Sequence, residues 1–138
     1  MFVLDTNVVS ELRKAASGKA NARVVNWASA VRADALFLSV ITLMEIEQGV
    51  LQLERRDPRQ GAAIRAWFER QVIPAFEGRV LPIDDPVALR CARLHVPDPR
   101  QERDALIAAT ALVHGMSVVT RNARDFEATG VQVIDPWI

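Results

Sequence analysis

A chain of 138 residues, half of them hydrophobic and a quarter charged, can bury one substantial core and is too apolar to be disordered. Its 17 basic and 17 acidic residues cancel, so no global charge draws it to nucleic acid. A lone cysteine, Cys91, excludes an internal disulfide, and no apolar run approaches the roughly 20 residues of a bilayer span.

FVLD (2–5) reads as a short buried strand that stops on a carboxylate. NVVSELRK then predicts a helix, ASGK breaks it, and NARVVNWASAVRA sets Val24, Val25, Trp27, Ala28 and Val31 on or near one helical face. LFLS (36–39) is a second strand. In TLMEIEQGVLQLERR, Leu43, Ile46, Val50 and Leu53 recur at helical spacing, and Asp57-Pro58 is the stop. RQGAAIRAWFERQVIPAF places Ile64, Trp67, Phe68 and Val72 on a further helical face, which Pro74 kinks or ends.

RVLPI (79–83) is a third strand. Asp85 is expected to cap the next helix, with Pro86 at its first position and an end near Leu94. After the loop VPDPR, DALIAATALVHG predicts an alanine-rich buried helix closed by Gly115. MSVVT is a fourth strand, NARDFEATG a short helix and turn, and VQVI a fifth strand. Short apolar strands alternating with helices predict one domain over 1–138. Its expected class is α/β: a three-layer α/β/α sandwich on a mostly parallel sheet of about five strands. The start shows no basic stretch followed by an apolar run, so no signal peptide is expected, and the lone cysteine makes a reducing cytoplasm the expected compartment.

In such a sheet ligands bind beyond the carboxyl ends of the strands. Helix N-termini gather on that same edge, and four acids are expected there: Asp5 after the first strand, Glu45 in the first turn of the helix after the second, Asp104 at the start of the helix before the fourth, and Asp125 just after the fourth. Each alone has a structural explanation. Thr42-x-x-Glu45 is a capping box, Asn122-x-x-Asp125 can cap a helix, Asp104 can be an N-cap and Asp5 a turn residue. Together, carboxylates crowded without lysines repel unless a cation compensates. Oxygen ligands of this kind suit Mg²⁺ or Mn²⁺, and such ions can activate water against a phosphodiester. A metal-dependent nuclease is the leading class.

MFVLDTNVVSELRK, SVITLMEIEQGV, RDALIAATALVHGMSVVTRNARDF and the ending VQVIDPWI together resemble the PIN-domain ribonucleases, most nearly the VapC/FitB-like toxins of type II toxin–antitoxin pairs. The resemblance runs along essentially the whole chain, in order and at the right spacing. It implies a PIN-like sandwich that cleaves RNA with Mg²⁺ or Mn²⁺. It also implies a homodimer, and a small antitoxin that blocks the site and joins the toxin on operator DNA. By the same resemblance Asp5, Glu45, Asp104 and Asp125 match the acidic metal-site positions, Thr6 and Asn7 the polar pair after the first acid, and Thr120 and Asn122 the residues supporting the fourth.

Arg121 and Arg124 flank Asp125 and could hold RNA phosphates, or be solvated helix charges. Arg55, Arg56 and Arg59 fit a helix end, and His114 a last-turn dipole contact. His95 and Cys91 read as helix-face residues, Trp27, Trp67 and Phe68 as core, and Glu47 as facing away from Glu45. Three rival classes are a metal-dependent phosphatase, a phosphoacceptor receiver domain and a non-catalytic scaffold that binds RNA or protein. Asn7 stands where a D-x-D phosphatase needs its second aspartate, and both lysines lie too early for a receiver.

Overall fold

The computed structural model describes all 138 residues. Five strands form one sheet: β1 (Phe2–Leu4), β2 (Leu36–Ser39), β3 (Val80–Leu81), β4 (Ser117–Val119) and β5 (Val133–Ile134), in the order β3-β2-β1-β4-β5. Every pairing is parallel, with Val3 opposite both Phe37 and Val118. The mostly parallel sheet expected from the sequence is therefore parallel throughout. The chain steps outward from β1 to β3 and returns to place β4 on the other side of β1. The strand order reverses between β1 and β4, the position where open α/β sheets form a crevice.

Seven helices connect the strands: α1 (Thr6–Leu12), α2 (Ala22–Ala30), α3 (Val40–Arg56), α4 (Pro58–Trp67), α5 (Ile73–Ala75), α6 (Asp85–Leu94) and α7 (Glu102–His114). The pleat sends alternate side chains to opposite faces. Leu4 and Val119 join Val8, Val24, Ile46, Val50 and Phe68 on one face. Val3 and Val118 join Ile107, Ala108, Ala111 and Phe126 on the other. A smaller cluster of Val87, Cys91, Ala105 and Ala109 seals α6 against α7, whose alanines let the helices approach closely. No helix is long and apolar enough to cross a membrane. Phe68 is fully buried as expected, whereas Trp27 and Trp67 are half-buried at the core's margin.

Several boundaries differ from the expectation, each for a local reason. Asp84, not Asp85, caps α6: its carboxylate accepts from the Val87 amide, leaving Asp85 and Pro86 inside the first turn. Ser39, the last residue of β2, caps α3 by accepting from the Ile41 amide at 3.1 Å. That starts α3 early, so Glu45 lies in its second turn and the Thr42 capping box does not form. The Thr42 hydroxyl is buried without a partner. Gln101 caps α7 by accepting from the Asp104 amide at 2.8 Å, which puts Asp104 inside the first turn rather than at the cap. The short helix after β4 is a pair of 3₁₀ turns, Ala123–Asp125 and Glu127–Thr129. His95 lies one residue past α6 as its C-cap, not on the helix face, and its Nδ1 accepts from the Arg100 amide.

Asp57 ends α3 and caps α4 through the Gln60 amide, with Pro58 at the first helical position. The helix expected from Arg59 to Phe76 widens into a π turn at Phe68–Val72 before α5. Pro74 offers no N–H and its ring crowds the carbonyl four residues back, and a wide turn there makes room. Arg65 ties the α3–α4 hairpin by pairing with Glu47 at 2.6 Å and Glu54 at 2.8 Å. Gly61 lets these helices touch: a Cβ there would lie 2.7 Å from the Glu54 amide nitrogen. Gly61→Ala is therefore expected to destabilise the protein by about 1–3 kcal/mol, the scale of an overpacked contact, and thermal unfolding will measure it.

Candidate functional site

Asp5 follows β1 directly, beside the strand reversal. It is 6% exposed. Its carboxylate accepts three hydrogen bonds: from the Thr6 amide at 2.8 Å, from Thr120 Oγ1 at 2.8 Å and from Asn7 Nδ2 at 3.2 Å. Thr120 stands directly after β4, so the two strands at the reversal are joined through side chains. The Thr120 hydroxyl also accepts from the Asn122 amide at 3.0 Å, and Asn7 Oδ1 accepts from the Arg121 amide at 3.1 Å. Thr6 Oγ1 donates to Glu45 Oε1 at 2.8 Å, which aims Glu45 from α3 toward β1. Thr6, Asn7, Thr120 and Asn122 are thus the scaffold of the acids.

Asp5, Thr6, Asn7, Glu45, Asp104, Arg121 and Asn122 line one open cavity of about 490 Å³. Asp125 lies beyond Asp104, on a smaller neighbouring cavity that the two acids share. Arg124 is exposed and lines neither. Glu47 is drawn to Arg65 and stands outside the site, as its helix position implies.

Electrostatics tie the four acids together. Burial pushes the Asp104 carboxyl up to about 6, and the charges of Asp5, Asp125 and Glu45 add to that push. Burial also raises Asp5, with Glu45 adding to it, against the lowering effect of its hydrogen bonds from Thr120, Thr6 and Asn7. Only one cation meets these acids closely: Arg103 lies 3.7 Å from Glu45 and also donates to Gln48. No three His, Cys, Asp or Glu side chains form a ready cage for an ion. The donor set nevertheless fits a hard, hydrated cation. The cavity offers carboxylates and no thiolate or imidazole, its carboxyls repel one another, and Mg²⁺ commonly takes one or two carboxylates, waters and substrate phosphate rather than a protein cage.

The cavity has residues that motif reading passed over: Ser10, Glu11, Arg13, Lys14 and Trp137. Asn7, Ser10, Glu11 and Lys14 recur at helical spacing, so one polar face of α1 and the 3₁₀ turn after it is written in the sequence. Glu11 is tied down by Lys14 at 3.2 Å and by the Asn21 amide at 2.8 Å.

The family profile described as "PIN domain" matches residues 2–131. The chain belongs to the PIN-domain family. Among its relatives is the VapC ribonuclease Y4jK of Sinorhizobium fredii, 38% identical with 99% of this chain and 98% of that protein covered. Toxin FitB of Neisseria gonorrhoeae is 34% identical, with 99% of each covered. The solved structure of FitAB bound to an IR36 DNA fragment superposes with a TM-score of 0.90 at 35% identity, covering 100% of this chain and 96% of that one. The five-stranded parallel sheet with helices on both faces is the PIN fold.

Proposed function

We propose that this PIN domain is a metal-dependent endoribonuclease and the toxin of a toxin–antitoxin pair. The carrying observation is the acid edge: a buried, triply hydrogen-bonded Asp5 sharing a cavity with Asp104, whose carboxyl is pushed up to about 6 by burial first and then by the charges of Asp5, Asp125 and Glu45. A cluster under such repulsion is suited to a divalent cation. The ribonuclease and toxin names of its full-length relatives support RNA as the substrate and toxicity as the outcome. The FitAB complex on DNA supports a small antitoxin partner and operator DNA reached through that complex. A homodimer acting in the cytoplasm completes the reading.

In this reading Asp5, Glu45, Asp104 and Asp125 would hold Mg²⁺ or Mn²⁺. The ion, when bound, would supply an activated water and neutralise charge on the phosphate. Hydrolysis joins the water oxygen to phosphorus and breaks the bond to the departing sugar oxygen, which takes up a proton, leaving one phosphate end and one hydroxyl end. Asp5 is fixed by strand and hydrogen bonds, so its oxygens need no reorganisation when substrate arrives. Thr6 keeps Glu45 turned inward. Asn7 holds both Asp5 and the Arg121 backbone, so the acid and a phosphate-binding arginine keep one register.

Purified chain, free of any partner, is expected to cut total cellular RNA into discrete fragments with Mg²⁺ or Mn²⁺ and not with EDTA. A folded, partner-free chain that binds neither ion, by calorimetric titration, would refute the metal-dependent reading. It would favour the scaffold instead.

A further inference from the structure

One arginine in the cavity is held in an unusual way. Arg121 Cζ lies 5.5 Å from the centroid of the Trp137 ring, and both residues line the cavity. Its charge is felt at Glu11, yet the guanidinium forms no ion pair there or with Asp5, Glu45 or Asp104. Two other cations nearby do pair: Lys14 with Glu11 and Arg103 with Glu45. A long exposed arginine beside several carboxylates would ordinarily fold onto one of them. A tryptophan face attracts the guanidinium while leaving its edge N–H groups free, and that edge matches a phosphate in two-point fashion.

Trp137 is itself fixed. Its amide donates to Asp135 Oδ1 at 2.9 Å, Pro136 beside it is buried, and its ring packs at the margin of the core that contains Leu4 and Val119. The Arg121 backbone is pinned from the other side by Asn7.

Resting on the nuclease reading above, we propose that Arg121 grips the RNA backbone, with Trp137 as the positioning residue that keeps its guanidinium off the acids and open to phosphate. The acids then address one phosphate while Arg121 holds a neighbouring one. The grip is on charge and carries no base preference.

The test uses the Asp5→Asn chain as parent, with Mg²⁺ and a fluorescent random-sequence single-stranded RNA 12-mer, read by anisotropy across a salt series. Arg121→Ala is expected to weaken binding about tenfold and to flatten the log–log salt slope by roughly 0.7, the loss of one phosphate contact on a single strand. Trp137→Ala, which keeps every charge, is expected to weaken binding about three- to fivefold, the reach of a partly exposed cation–π contact, and Trp137→Phe to restore most of it. The double variant Arg121→Ala/Trp137→Ala should bind no more weakly than Arg121→Ala alone, because Trp137 acts through Arg121. No RNA binding by the parent, affinities unmoved by these changes, or full additivity in the double variant overturns the grip. Cleavage of RNA by the wild-type chain is scored separately, so the grip can fail while the nuclease reading stands.

Discussion

Asp5→Asn is expected to lower RNA cleavage by roughly a thousandfold, the scale for removing a preorganised group that meets developing charge. The fold should survive. Asparagine has the same shape, and its carbonyl can still accept from the Thr6 amide where Asp5 Oδ1 does at 2.8 Å. The new amide replaces the oxygen that accepts from both Thr120 Oγ1 and Asn7 Nδ2. The Thr120 hydroxyl can turn and accept instead, but it already accepts from the Asn122 amide and, at 3.3 Å, from Asn7 Nδ2, so the Asn7 contact gives way. The Asn7 amide cannot, and its own oxygen is committed to the Arg121 backbone. The two long bonds of the Asn7 amide, to Asp5 and to Thr120, are lost, worth about 1–2 kcal/mol together, and the end of a buried charge's desolvation offsets them.

Asp5→Ala makes the contrast. It leaves Thr120 and Asn7 facing a void, which costs about 1–3 kcal/mol in addition to activity. Cleavage rates beside thermal unfolding separate the two effects. A folded Asp5→Asn chain that cleaves at the wild-type rate would remove Asp5 from the chemistry.

The placement of Asp5 was legible because two signals coincide there. An apolar run long enough only for a strand is followed at once by an acid and two polar residues, and the strand's burial fixes which way the acid faces. Asp104 and Glu45 were legible as acids near the correct edge, but their turns were misjudged. The caps that set those turns are Ser39, read as strand, and Gln101, a weak capping type by propensity. Sheet order was beyond reach of local pattern. Nothing in LFLS or MSVVT says which neighbour it pairs with, and the reversal between β1 and β4 emerges only from long-range packing. Arg121 on Trp137 shows the same limit, since the turn after β4 meets the exit of β5 only once the sheet has formed. The polar face of α1 is different: its spacing was present, and it was overshadowed by the acids.

The same crowding that suits the site to a cation should make it a local weakness of the metal-free protein, and Asp104→Asn exposes this. The Asp104 carboxyl stands near 6 in the fold against an ordinary 3.8. Below 3.8 it is protonated both folded and unfolded and contributes nothing. Between 3.8 and 6 the folded chain holds a proton that the unfolded chain releases, so stability falls as pH rises, and above 6 the full cost is present. A two-unit shift would correspond to about 3 kcal/mol, and solvent screening at this half-buried group reduces it to roughly 1–2 kcal/mol. Asparagine cannot ionise. In EDTA at pH 7.5, Asp104→Asn is therefore expected to melt about 3–6 °C above wild type, with the gap closing toward pH 4.

Adding Mg²⁺ should raise the melting temperature of wild type more than that of the variant, because binding to the folded state alone stabilises it by mass action. Cleavage should be lost in the variant throughout. A gain in stability coupled to a loss of activity marks a charge kept for chemistry rather than for the fold. An Asp104→Asn chain less stable than wild type at pH 7.5 without metal would instead show that this carboxylate supports α7.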